Sequence, residues 1–169
     1  MHRRLPPIGA ENVECLLDFS STTLLTTLRT LRDVDVALAV SNLSAYHIAF
    51  DRWDDARFHA REALAAAREA RQYGQVAWML QHLATVAALS RAPQHENPAA
   101  RSQLAALLLG YVDRYSTRVG ASRTYIDLQG YERALNALRN ALPENQLEQL
   151  MAGGGAITLD EAIELALSV

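Results

Sequence analysis

Between residues 34 and 88 the apolar positions return every three or four residues, and no segment alternates strictly between apolar and polar. That is the period of helices packed on a core, not of strands. The pattern predicts a first strong helix over 34–50 and a turn at Asp51 and Arg52. Asp54 and Asp55 then place negative charge in the first turn of the next helix, where the macrodipole favours it. This second helix is expected to run to Tyr73 with Gly74 as its stop, and a third to cover 75–90. The stretch RAPQHENP reads as a loop. Asn97 caps the helix that follows it, with Pro98 in its first turn and Gly120 at its end. Further helices are predicted over 127–142, ended by Pro143, and over 144–151, closed by the flexible turn Gly153, Gly154 and Gly155. The last, in TLDEAIELAL, opens on Thr158 with Glu161 three residues on, which is a capping box. Its apolar stripe is expected to cover the last helix pair near Leu135, Leu138 and Leu142. At the other end Pro6, Pro7 and Gly9 make residues 1–12 an irregular arm, and Val13, Leu17, Leu24, Leu28 and Leu31 resume the helical period. The chain therefore reads as all-α, with one domain over 13–169.

Composition narrows the function classes. The 169 residues are half hydrophobic and 21% charged, which suits a single domain with its own core. A net charge of -3 supplies no broad positive field for nucleic acid or acidic lipid. All 16 basic residues are arginine, so Schiff-base and P-loop lysine chemistry are both ruled out. Cys15 stands alone, so no internal disulfide can form. No apolar run approaches the ~20 residues of a membrane helix, and MHRRLPPIGAENVE has no apolar core of a secretory signal. A cytoplasmic protein is expected.

The chemically richest stretch is NLSAYHIAFDRWDDARFHAREAL, residues 42–64. His59 and Glu62 share a helix face and His47 lies on the preceding helix, but no third ligand is spaced to complete a metal site. Asp51, Asp54 and Asp55 suit helix caps better than an acid–base pair. Arg57, Arg61 and Arg68 stand beside Glu62 and Glu69, which fits an ion-paired, solvated face. The triple glycine precedes a helix but follows no strand, and Asp160 and Glu161 would repel a phosphate there. The reading is of a protein that is not an enzyme and uses no metal or cofactor.

A large residue at Leu43, a small one at Ser44, then Trp53, Ala56, Ala63 and Leu64 follow the layout of a helical hairpin repeat. Small residues let helix backbones approach, and large ones fill the space beside them. On these residues 37–70 resembles one tetratricopeptide repeat, with 75–120 as a degenerate second copy and 125–169 as capping helices. Ser44 stands where that family usually has glycine or alanine, and His47 where it usually has tyrosine. The tail adds a second likeness. Leu109-Gly110, Tyr131-Glu132-Arg133, Gly155-Ala156 and Leu159-Asp160-Glu161-Ala162 look like the closing segment of large bacterial regulators of the LuxR-type and cyclase-linked kinds. Those chains join an ATPase module to helical repeats, and this chain has no G-x-x-x-x-G-K-[ST] motif.

The resemblance implies an α-α superhelix of antiparallel hairpins with a C-terminal capping helix. It implies a non-catalytic protein-interaction module of bacterial signalling or transcriptional regulation. The alternative is a sensor of a small molecule or peptide. In such arrays the first helix of each pair lines a concave groove. Setting Leu43 against Leu83 pairs Leu38 with Trp78, Ser41 with Gln81, Asn42 with His82, and Ala45 with Thr85. These eight residues are the expected groove for a protein or peptide partner, with Asn42 where peptide-clamping repeats hold a ligand's main chain. Leu24, Leu25, Leu28 and Leu31 have few partners within the chain, so a homodimer through the N-terminal helices is expected.

Overall fold

The computed structural model describes residues 33–91 and 97–169, and the side chains from Leu38 onward. The expected N-terminal arm, the helices over 13–31 with the dimer contact assigned to them, and Cys15 and His95 lie outside the described residues. The described residues form seven helices and no strand, an all-α fold as the periodicity predicts. They are α1 (Asp33–Ala49), α2 (Trp53–Glu69), α3 (Tyr73–Leu89), α4 (Pro98–Val119), α5 (Tyr125–Ala141), α6 (Glu144–Gly154) and α7 (Leu159–Leu167).

The first three helices share one plan. Each has 17 residues, and their starts are 20 residues apart. The two connections are closed alike. Asp51 (φ 58°) and Arg71 (φ 55°) take the left-handed conformation that ends a helix, and the next amide turns back onto the helix. Arg52 N–H donates to the His47 carbonyl at 2.9 Å, and Gln72 N–H to the Ala67 carbonyl at 2.8 Å. Gly74 therefore lies in the first turn of α3, and it is Arg71 that reverses the chain. The helix pair recurs every 40 residues, longer than the 34 of a tetratricopeptide repeat. It is nonetheless the offset that sets Leu43 against Leu83.

The other caps follow their residues. The Asn97 side chain accepts from Ala99 N–H with Pro98 beside it, and Gly120 (φ 65°) ends α4. Thr158 and Glu161 form the full capping box at α7. Thr124, not Asp127, is the cap of α5, which starts at Tyr125.

The core is built around α3. It carries no charged residue, and Val76, Ala77 and all of 79–87 are buried. A helix apolar on all sides belongs inside, and α1, α2, α4, α5 and α7 all pack on it. The later helices depart from simple pairing. α5 lies across α3 and α1, while α6 packs on α4 and barely meets α5. The α4–α6 contact is close because both sides supply glycine. A side-chain carbon on Gly110 would collide with the Met151 backbone, and one on Gly154 with the Leu107 backbone. Gly153 and Gly154 are thus the last turn of α6, not a flexible turn after it. Helix α7 covers α3 and α4 rather than the last pair, with Ala162, Ile163 and Ala166 buried and Leu167 exposed. From α2, Arg61 donates to the Leu167 carbonyl at 2.9 Å and Arg68 stands 3.7 Å from the Asp160 carboxylate.

Candidate functional site

The eight groove residues divide into three places. Gln81, His82 and Thr85 are at most 2% exposed. Helix α5 crosses over them, so this row is filled by the chain itself. Ser41 and Ala45 are buried on the packed side of α1, and Trp78 is half-buried against the core. Leu38 and Asn42 alone are exposed, on the outer side of α1.

The junction of α3 and α5 is polar and closely satisfied. The Asp127 carboxylate meets His82 Nε2 at 2.8 Å and accepts from Thr124 Oγ1 at 2.6 Å, while its backbone carbonyl accepts from Gln81 Nε2 at 2.9 Å. Burial alone would push the Asp127 carboxyl up. The hydrogen bond and charge of His82 and the bonds from Thr124 outweigh it and hold the carboxyl below its usual value. Position explains the pairing, since Asp127 is the third residue after the Thr124 cap and its amide turns toward that cap. Its side chain is thereby aimed across at α3.

A second polar chain continues from Gln81. Arg123 donates to Gln81 Oε1 at 2.6 Å, pairs with Asp113 on α4, and lies 3.9 Å above the Tyr131 ring. Tyr131 O–H donates to Asp113 at 2.8 Å. Burial, then the Asp113 charge and hydrogen bond, push the Tyr131 phenol up to about 12, so it stays protonated. Arg133 reaches from the middle of α5 to the Ile48 carbonyl at 3.0 Å and pairs with Asp51. It neutralises the negative end of α1. Both carboxylates are thus engaged in holding α5 down on α1, α3 and α4.

Between α1 and α2 the rings of His47 and His59 stack at 5.1 Å, tilted by 10°. Both are buried, with Asp55 and Glu62 at their edges at 3.9 and 3.7 Å. Burial lowers the His59 pKa, and the charges of Glu62 and Asp55 only partly offset it. Among the described residues no group of three His, Cys, Asp or Glu is placed to hold a metal ion. No helix among them is long and apolar enough to cross a membrane.

What remains open is the outer face of α1. Leu38 is 47% exposed, Tyr46 47% and Phe50 40%, with Asn42 and Ala49 exposed between them. Beside it a depression of about 380 Å³ runs between α1 and α5, with Ile48, Ala49, Ile126 and Gly130 as its apolar walls. From residue 36 to its end α1 has no acidic or arginine side chain, and in this it matches α3. Only α3 is enclosed.

Asn42 was visible from repeat register, but Tyr46 and Phe50 were not. Their signal is the absence of charge on all sides of a helix that begins the described fold. Asp127, Arg123, Asp113 and Tyr131 were also missed. Nothing local marks a contact between residues 45 positions apart. Comparison of the chain with protein-family models, with curated proteins and with solved structures gave no match.

Proposed function

We propose that the chain is a non-catalytic protein-interaction module and that its contact surface is the outer face of α1. The observation that carries this reading is the unequal fate of two like helices. Both α1 and α3 lack charge, and α3 is covered on every side while Leu38, Asn42, Tyr46 and Phe50 are left in water. An exposed apolar strip with a single amide at its centre is the composition of a helix that docks on another protein. The tail's likeness to bacterial regulators offers a setting, in signalling or transcriptional control. A sensor reading would need the row of Gln81, His82 and Thr85 to be open, and α5 lies over it.

The test is a photo-crosslinking amino acid at Tyr46 in the full chain, with Glu148 on α6 as the exposed control site. Covalent capture of a protein from Tyr46 and not from Glu148 is the expected result. Equal labelling from both sites, or none from Tyr46, would remove this face from the argument.

A further inference from the structure

We infer that the occupant of the outer face of α1 is a second copy of the same chain, docked about a two-fold axis through Asn42. This rests on the reading of that face as the contact surface. Three observations lead to it.

The first is charge. The strip Leu38, Asn42, Tyr46, Ala49 carries no charged group, so two copies meet without repulsion. The exposed side of α2 is different, with Asp54, Glu62, Arg68 and Glu69 on it. A face evolved for a charged partner would carry the opposite charges. The second is spacing. Leu38 and Tyr46 stand four residues either side of Asn42, one helical turn each. In an antiparallel pair of α1 helices crossing at Asn42, each position meets the one equally far on the other side of the centre. Leu38 of one copy therefore meets Tyr46 of the other, twice over, an aliphatic side chain against an aromatic ring. The third is chemistry at the centre. A two-fold axis brings a residue against itself, and a carboxylate or guanidinium there would repel its copy. An amide has both donor and acceptor and bonds to its own image. A central asparagine in an apolar helix seam also fixes register against sliding.

One helix face is a small contact, below the ~800 Å² per partner of standard stable interfaces. The dimer is therefore expected to dissociate in the micromolar range and to depend on concentration.

The experiment uses the full chain with Cys15→Ser as background. Asn42→Cys in that background should form a disulfide-linked dimer under mild oxidation, because the two-fold axis brings the new thiol against itself. Glu62→Cys, exposed on α2, should not. By sedimentation the wild-type chain should shift from monomer to dimer with concentration. Leu38→Glu should raise its dissociation constant at least tenfold with an unchanged circular dichroism spectrum. Should Leu38→Glu fail to fold, the contrast between the two cysteine variants still decides. A strict monomer at high micromolar concentration overturns the proposal, and so does a dimer in which Asn42→Cys links no better than Glu62→Cys. If such a monomer is still captured through Tyr46 by a different protein, the interaction reading stands and only self-association falls. If Cys at 42 resists a maleimide reagent in a monomer, the chain's own N-terminal segment covers the face and both readings fail.

Discussion

Asp127 shows how much one side chain can organise. It caps nothing by itself, yet it collects bonds from His82 on α3 and from Thr124 at the head of its own helix. Hydrogen bonds to a charged group contribute about 1.5–3 kcal/mol each, and leaving His82 buried without its acid adds a desolvation cost. Asp127→Asn should therefore lower stability by about 2–3 kcal/mol, read as a fall in urea midpoint. The same groups set the acid response. The native His59 pKa lies below 6.5, so the unfolded chain takes up that proton first, and stability falls as pH drops from about 6.5 through the native value. The native Asp127 pKa lies below 3.8, so its contribution is intact above that and is lost as pH falls further. Urea midpoints against pH should show both windows, with His59→Gln flattening the upper and Asp127→Asn the lower. A wild-type midpoint that does not change between pH 7 and 5 would contradict the account of His59. The sequence shows His59 and Asp127 plainly as residues. It does not show that one is stacked on His47 and the other set against His82, because these pairings follow from how helices cross.

Helix ends were the most legible elements, and glycines the least. Asn97, Pro98, Gly120, Thr158 and Glu161 do what their local chemistry dictates, since a cap is satisfied within three or four residues. Gly74 and Gly154 misled because a glycine's freedom is also useful where two backbones meet. Gly154 lies against Leu107 and Gly110 against Met151, both across the α4–α6 contact. Arg71, with no special turn chemistry of its own, holds the positive φ that Gly74 seemed to supply. These roles separate in a mutant series. Gly110→Ala and Gly154→Ala must push two helices apart and should each cost more than ~2 kcal/mol. Gly153 sits one residue away, and a side-chain carbon there meets only Leu107 Cδ2 at 3.6 Å, an ordinary contact. Gly153→Ala should be neutral or raise stability by up to ~1 kcal/mol through helix propensity. Equal melting temperatures for the three variants would sink the glycine-contact explanation of how α6 is seated.

At the scale of the molecule, the helix pairs follow one another as the periodicity suggests, but the groove expected between α1 and α3 is filled. Helix α5 buries only Gly130, Ala134 and Leu138 of its own residues, and much of its hold is through the polar bonds of Asp127, Arg123 and Arg133. A helix held by few apolar contacts opens before the core does. Native-state hydrogen exchange should therefore give α5 amides a smaller opening free energy than those of α3. Equal protection would mean that α5 unfolds only with the whole chain. The lid over Gln81, His82 and Thr85 has a cost for any ligand of that row. Such a ligand binds only molecules in which α5 has already lifted, so its apparent affinity is its intrinsic affinity scaled down by that small fraction. Substitutions that loosen α5, far from the ligand itself, would tighten its binding.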